Sequence, residues 1–176
     1  AQFQKNAQNT VVFSRDTSGT RISPYGFVLA VVYEDSTATR KQIFINEEFD
    51  ILGADETGYG TTIEEATAHV PFSGLTITPA QVSRADLITF VPSGNGPEGN
   101  LIFTGTTLGT NVWDFGSTTG TQVAIDTREV KTYLTATGNE AKIQNTAQSS
   151  PLMAASQQFL VVEYTKPSPV AGFTAT

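Results

Sequence analysis

The stretch SPYGFVLAVVYEDSTATRKQIFINEE, residues 23–48, decides the predicted fold. It contains two runs of apolar, β-branched and aromatic residues, 27–33 and 42–45, on either side of the polar link EDSTATRK. This pattern predicts two adjacent antiparallel strands joined by a short loop. The first run is apolar at nearly every position, and we therefore expect it to form a central strand that is covered on both faces.

Composition indicates one β-rich domain. The chain has 176 residues, of which 39% are hydrophobic and only 15% are charged. This length is sufficient for one domain with a substantial core. The low fraction of charged residues is not typical of a helical bundle. The net charge of −7 disfavours nucleic acid as a partner, because phosphate binding needs clustered Lys and Arg. The chain has no cysteine, which excludes disulfides, thiolate metal sites and a Cys nucleophile.

We predict one domain over residues 1–176, with a helix in 1–10, a β domain in 11–135 and a C-terminal extension in 136–176. The helix is expected because Phe3, Ala7 and Val11 fall on one helical face, which would pack on the sheet. The runs 87–91 and 101–103, joined by the tip PSGNGPEG, predict a β-hairpin. The extension contains one more apolar strand, QQFLVVEY. The total is nine or ten strands.

Several short segments resemble type IV pilin-like proteins when they are taken in order. They are Ala7-Gln8-Asn9, Tyr25-Gly26, the run QIFI at 42–45, the acidic loop 50–58 and the run ITFVPSG at 88–94. Their order is similar to that of the GspH/FimT-type minor pilins and the type II secretion pseudopilins. The resemblance covers roughly residues 1–105.

The resemblance implies an α+β fold, mostly β, in which a short N-terminal helix packs on antiparallel sheets in a sandwich-like arrangement. The long hydrophobic half of a pilin helix is missing from this sequence. The function implied is that of a structural, non-enzymatic subunit of an extracytoplasmic pilus-like or pseudopilus filament. Its partners would be other pilin or pseudopilin subunits, and it would contact the membrane only through the missing helix.

Candidate chemistry is sparse, and we predict that the chain is not an enzyme. His69 is the single histidine, and no serine lies in a G-x-S-x-G pattern, so we expect a strand-end histidine bonded to a loop. The acidic loop is the candidate metal site, because dense carboxylates can hold calcium. Its spacing does not match an EF-hand, and a solvated loop is the default. The five candidate ligands are Glu47, Glu48, Asp50, Asp55 and Glu56. We expect no other cofactor.

Two other functional classes remain open. Trp113, with Tyr59, Phe115 or Tyr133, could form an aromatic platform for a sugar, although a single Trp among strand residues is more often in the core. The chain is then a β-sandwich adhesin or a carbohydrate- or calcium-binding module. A viral β-rich capsid or tail subunit shares the same Thr- and Gly-rich composition. DNA binding is not expected, because Arg15 with Arg21 and Arg40 with Lys41 are the only compact basic groups.

Overall fold

The structure is a computed structural model that describes residues 4, 6–14, 18–19, 26–47, 49–55, 58, 60–74, 76–92, 97–114, 123–146 and 152–165. Within these ranges the chain is all β, with ten strands and two 3₁₀ turns, Pro79–Gln81 and Lys131–Tyr133. The strands are β1 (Lys41–Asn46), β2 (Asp50–Leu52), β3 (Thr67–Phe72), β4 (Val82–Pro92), β5 (Glu98–Phe103), β6 (Thr106–Trp113), β7 (Val123–Glu129), β8 (Asn139–Gln144), β9 (Met153–Ala155) and β10 (Gln158–Tyr164). No helix in these ranges is long and apolar enough to span a membrane.

The strands form two four-stranded antiparallel sheets and one small sheet. Sheet I has the order β1-β10-β4-β7, and sheet II has the order β3-β8-β5-β6. Sheet III contains only β2 and β9. The core lies between the inner faces of sheets I and II, which gives a β-sandwich-like arrangement.

The inner faces follow from the two-residue period of a strand. In β4 the buried residues alternate with less buried ones, so that Leu87 and Val91 point inward, and Leu160 of β10 does the same. Sheet II contributes alternate residues of its own strands, such as Leu101 and Phe103 of β5. Each such side chain contributes about 1.5–3 kcal/mol when it leaves water, so this double layer is the main source of stability.

One hairpin follows directly from local sequence. Thr104 and Gly105 join β5 to β6, and Phe103 pairs with Thr106 across this two-residue turn. Both turn residues have positive φ, 46° and 78°. The backbone twist of such a turn matches the twist of the two antiparallel strands that it joins. Gly at its second position adopts a positive φ without strain.

The hairpin predicted between 87–91 and 101–103 is wrong. Both runs are strands, in β4 and β5, but they lie in different sheets. β4 already pairs with β10 on one side and with β7 on the other, so no edge is left for β5. The connection therefore passes from one sheet to the other.

The predicted α+β class, with an N-terminal helix packed on the sheets, is also wrong. Among the described residues of 1–10, Asn6 has a φ of 64° and Ala7 lies in a bend. The side chain of Asn9 accepts a hydrogen bond from the Gln4 N–H at 2.8 Å and donates to the Gln4 carbonyl at 2.9 Å. Backbone groups that a helix would use are therefore bonded to a side chain. Val11 is exposed, and Phe3 lies outside the described residues.

The strongest predicted strand, 27–33, is not a strand in the structure. It is exposed, and it joins none of the three sheets. Its predicted partner, 42–45, does form β1. The chain end is richer in strands than predicted, because 136–165 contains β8, β9 and β10. β10 takes the central position beside β1 that the sequence assigns to 27–33.

Candidate functional site

The acidic loop is described only in part. Glu47 follows β1 and is exposed, and Asp50 is the exposed first residue of β2. Glu48 and Glu56 lie outside the described residues. Across the described part of the chain, no three His, Cys, Asp or Glu side chains are grouped so that they could hold a metal ion. Calcium binding by this loop stays a prediction.

Asp55 stabilises a turn. Its Oδ1 accepts a hydrogen bond from the Gly58 N–H at 2.7 Å, and its carbonyl accepts one from the Gly60 N–H at 2.8 Å. A Cβ on Gly58 would lie 2.3 Å from Asp55 Oδ2, so a larger residue there would displace the carboxylate from this position. The hydroxyl of Thr61 donates to the Gly53 carbonyl and closes the loop from the other side. This carboxylate orders the loop as an Asx turn does.

The histidine lies on a strand and contacts a carboxylate. Nδ1 of His69, in β3, is 3.1 Å from Oε1 of Glu140, in β8. The pair is on the outer face of sheet II, and both side chains are substantially exposed to solvent. The predicted bond from His69 to a loop is therefore replaced by a bond across two paired strands. Exposed pairs of this kind contribute little to stability.

Trp113 belongs to the core. It is fully buried, and its indole Nε1–H donates to the Thr89 hydroxyl at 3.2 Å. Gly99, with a φ of 76°, lies against the ring, since a Cβ there would be 2.6 Å from Trp113 Cε3. The ring has no face free for a sugar. Of the other proposed platform residues, Tyr133 is partly exposed, and Tyr59 and Phe115 lie outside the described residues.

The outer face of sheet I is apolar, and we call it the apolar face. Cross-strand pairs form it: Ile45 pairs with Phe159 and Ile43 with Val161 across β1 and β10. Phe159 in turn pairs with Ile88 of β4, and its ring packs edge-on against Phe90 at a centroid distance of 5.6 Å. The apolar face comprises Ile43, Ile45, Ile88, Phe90, Ile125, Phe159 and Val161. Its charged residues, such as Lys41 and Glu163, lie at one end.

Residues 26–33, which we call the strap, cross the apolar face. A Cβ on Gly26 would lie 2.6 Å from Val123 Cγ2, so the strap begins against β7. Residues 28–32 line a groove together with Ile43, Ile88, Phe90, Phe159 and Val161. The strap therefore runs from β7 across β4 and β10 towards β1. The strap covers the apolar face enough that Phe159 is only 8% exposed.

The strap leaves much of its own apolar surface in solvent. The strap and the preceding run 11–13 together contain nine large apolar side chains that are 38–81% exposed. The two runs meet where the rings of Phe13 and Phe27 lie 4.2 Å apart. No backbone hydrogen bond joins 26–34 to another segment within the described residues. The strap is thus an apolar segment that leaves much of its side-chain surface in solvent and has no backbone bond to another described segment.

A turn separates the strap from β1. The Ala38 N–H donates to the Asp35 carbonyl at 3.1 Å, and the Asp35 carboxylate accepts from the Thr37 N–H at 2.8 Å and from its hydroxyl at 2.7 Å. These two bonds from Thr37 lower the pKa of the Asp35 carboxyl. After the turn, β1 runs back with one edge bonded to β10 and the other open among the described residues.

The open edge of β1 is bordered by a groove. Its walls are residues 43–46 on one side and Pro71, Phe72 and Ser73 on the other. The Asn46 side chain donates to the Pro71 carbonyl at 3.2 Å, and the rings of Phe44 and Phe72 pack edge-on. The two sheets are therefore tied together at the ends of this groove. The strand edge, which is open among the described residues, makes it a candidate binding groove for an extended chain.

The sequence analysis missed this surface because it assigned 27–33 to the interior. One signal was present: outward positions of β4 and β10, such as Ile88 and Val161, are apolar where a solvated face would be polar. Two strands that carry apolar residues on both faces indicate that the outer face of sheet I is also covered by another segment.

Comparison with known proteins assigns the family. Residues 1–163 match the family described as a protein of unknown function, DUF3344, and the chain belongs to this family. No curated protein matches it. Among solved structures it is similar to dimeric latent PorU from Porphyromonas gingivalis, with a TM-score of 0.38 and 11% identity over 77% of this chain. The match spans only 14% of the PorU chain, and so distant a likeness carries no argument.

These findings correct the resemblance to type IV pilin-like proteins. The family match is to DUF3344, and the described chain is all β, with no helix end to join a pilin helix. The segment Ala7-Gln8-Asn9 lies in a loop and the run 42–45 in an edge strand, while Tyr25 lies outside the described residues. Short apolar runs separated by Gly-rich loops recur in many β proteins, so their order does not identify a fold.

Proposed function

We propose that this chain is a non-enzymatic β-sandwich-like interaction module of an extracytoplasmic protein. It binds another protein through the strap and the apolar face beneath it. The observation that carries the proposal is the row of exposed apolar side chains in the strap, which includes Phe27, Leu29 and Tyr33. A contiguous apolar surface of this size on a folded domain is typical of a protein interaction site.

The placement of the titratable groups supports a non-catalytic role. Asp55 and Asp35 hold turns, and Glu163 receives a hydrogen bond from the Thr39 hydroxyl at 2.5 Å. The ion pairs of the described residues, such as Arg84–Asp86, lie at the surface between neighbouring side chains. Covalent catalysis uses a nucleophile, a base and an orienting group in one cleft, and the titratable groups in the described part of the chain are instead dispersed.

Composition supports the extracytoplasmic assignment. The chain combines a net charge of −7 with 15 glycines and no cysteine, and its loops are rich in Thr and Ser. This polar, acidic surface suits a domain that is displayed outside the cytoplasm. An adhesin-type module is the class of protein that matches both this surface and the sandwich-like fold.

A site-specific photo-crosslinker tests the proposal in the cells that make the protein. The reactive residue replaces Leu29, which is 74% exposed in the strap. A matched control replaces Thr107, an exposed residue on β6 of sheet II. We expect covalent protein adducts from the Leu29 position and none from the Thr107 position. Equal adduct yields at the two positions, or none at either, would overturn the proposal.

Calcium binding is a separate proposal for the acidic loop, with Glu47, Glu48, Asp50, Asp55 and Glu56 as ligands. Its support is the density of carboxylate oxygens in ten residues. Thermal unfolding in CaCl₂ and in MgCl₂ tests it, because a ligand that binds the folded chain raises Tm. A rise that is specific to calcium and absent in Asp50→Asn supports it. No difference between the two salts would contradict it.

A further inference from the structure

Resting on the proposed function, we propose that the protein partner is a second copy of this chain and that the two copies meet strap to strap. Each strap stays on the apolar face of its own copy. The two straps pair as antiparallel strands around a two-fold axis that passes through Ala30. The same patch of both copies therefore forms the contact, as in other two-fold dimers.

The strap is available for pairing without leaving its own apolar face. Its six large apolar side chains, at odd and even positions alike, are 38–79% exposed while residues 28–32 line the groove on that face. No backbone hydrogen bond joins 26–34 to another segment within the described residues. A lipid surface would cover the side chains but cannot bond these backbone groups, whereas a second strand bonds them.

The sequence of the strap is self-complementary. Side chains of the same kind lie at equal distances on either side of Ala30 in the run FVLAVVY, residues 27–33. Antiparallel pairing centred on Ala30 sets these residues opposite each other: Phe27 and Tyr33, Val28 and Val32, and Leu29 and Val31. Matched aromatic and aliphatic pairs across two strands are stabilising. The smallest side chain lies on the axis, where two identical residues meet. This symmetry favours a second strap over an unrelated strand as the partner.

Charge favours the antiparallel arrangement of two straps. The strap is uncharged, but Glu34 and Asp35 follow it directly, and each copy carries a net charge of −7. A parallel pair would set each of these carboxylates against its own counterpart. In the antiparallel pair Glu34 lies opposite Gly26 of the second copy, so the two Glu34 residues are roughly 26 Å apart along the ribbon. Charges at that distance are largely screened at physiological salt, where the screening length is about 8 Å.

The exposed apolar area matches that of a specific dimer. The six large side chains of the strap present roughly 600 Å² of apolar surface, on typical areas for aliphatic and aromatic residues. Two copies therefore offer about 1,200 Å², which is the lower end of the range for specific interfaces. The run 11–13 enlarges the patch, because the ring of Phe13 lies against that of Phe27. Soluble monomers seldom expose a larger apolar patch than this.

Disulfide trapping with single cysteines tests the position of the axis. The chain has no cysteine, so each variant carries one thiol. Ala30→Cys changes an exposed residue on the axis, and we expect mild oxidation to link two copies through it. Opposite residues of an antiparallel pair have Cα separations that permit this bond. Ser36→Cys, in the exposed turn after the strap, is the control and should give no covalent dimer.

The register is tested with Val28→Cys and Val32→Cys. In the proposed pair Val28 lies opposite Val32 of the second copy, whereas the two Val28 residues are roughly 13 Å apart. We expect no disulfide from either variant alone. When the two variants are unfolded, mixed, refolded and oxidised, we expect a covalent heterodimer.

Two results of the trapping would overturn the proposal. A disulfide from Val28→Cys alone would mean that the straps are parallel or shifted. No disulfide from Ala30→Cys, or none from the mixture, would mean that the straps do not pair around Ala30.

Sedimentation of the full chain gives an independent result that needs no cysteine. We expect a dimer for the unmodified protein and a monomer for Leu29→Asp. The Leu29 side chain is 74% exposed in the single chain, so this variant retains its fold. A monomeric unmodified protein would overturn self-pairing.

The photo-crosslinker at Leu29 distinguishes failure of self-pairing from failure of the proposed function. Adducts between two copies of the protein support both proposals. Adducts with a different protein overturn self-pairing and leave the proposed function standing. The absence of any protein adduct overturns both.

Discussion

The outer faces of sheets I and II differ although their inner faces share one core. On sheet II the Asn100 amide donates to the Gln144 side chain at 3.1 Å, and Gln144 donates to the Thr67 hydroxyl at 3.1 Å. The same face carries His69 bonded to Glu140. On sheet I the corresponding surface is the apolar face. A face of polar cross-strand pairs is stable in water, whereas an apolar face gains about 25 cal/mol for each Å² that another segment covers.

This difference explains the position of the strap. The apolar face is a large hydrophobic area, and the strap is an apolar segment that lies against it and joins none of the three sheets. The strap covers part of the face, but in doing so it exposes its own outward side chains. Sheet II needs no such cover. The asymmetry between the two faces therefore places the interaction surface on one side of the molecule.

The largest effect is expected from loss of a ring on the apolar face. Phe159→Ala removes a side chain that is 8% exposed and packs against Phe90. Truncation of a buried Phe costs about 3–5 kcal/mol, and we expect a loss near the lower limit because the strap can shift into the space. Urea unfolding measures it. Lys142→Ala, on the outer face of sheet II, should change stability by less than about 0.5 kcal/mol. Equal losses would show that the two outer faces are equivalent.

A smaller effect concerns the charged end of sheet I. The Thr39 hydroxyl and then Lys41, 3.3 Å away, lower the pKa of the Glu163 carboxyl from its usual value of 4.5. A group with a lowered pKa stabilises the fold above its unfolded pKa and loses this contribution as pH falls through the folded pKa. We therefore expect the urea midpoint of the unmodified protein to exceed that of Glu163→Gln at pH 7.

The difference between the two proteins should decrease as pH falls below 4.5 through the lowered pKa of the Glu163 carboxyl, and disappear once that carboxyl is protonated in the folded protein. Thr39→Val should reproduce part of the loss at pH 7. A gap between the unmodified protein and Glu163→Gln that stays constant from pH 7 to pH 3 would contradict the assignment.

The smallest effect is expected on the polar face of sheet II. A double-mutant cycle with His69→Ala and Glu140→Ala should give a coupling of about 0.5 kcal/mol or less, because both side chains are substantially exposed. The coupling should also decrease in 1 M NaCl, where exposed charges are screened. A coupling that is larger than 1 kcal/mol and insensitive to salt would mean that this face contributes more to stability than its exposure implies.

The positions of several strands could be predicted from local sequence, but the pairing of the strands could not. The runs 42–45, 87–91 and 101–103 are all in strands, because alternation and β-branched composition depend only on neighbouring residues. The hairpin assignments were wrong because proximity in sequence was taken as proximity in the sheet. β10 instead inserts between β1 and β4, more than one hundred residues away from its partner β1. The N-terminal helix was wrong because Asn9 bonds the backbone of Gln4 locally.

From the sequence, the candidate surface was indicated only by the run 27–33, which is apolar at nearly every position. The sequence predicted that 27–33 is covered on both faces, but this run is exposed in the structure. It did not show that the cover is incomplete in one chain, since that depends on where β10 pairs. The carboxylates of the acidic loop were visible as a cluster, but the bond from Asp55 to Gly58 depends on how the loop folds back.

The sequence by itself determined that the runs 42–45, 87–91 and 101–103 form strands, and that Thr104-Gly105 can form the turn between β5 and β6. These are consequences of side-chain period and backbone φ preference, which act within a few residues. Only the tertiary structure decided that β10 takes the place beside β1 and that the strap lies outside the sheet. Strand pairing joins segments far apart in the chain, and its outcome depends on competition among all apolar faces for cover.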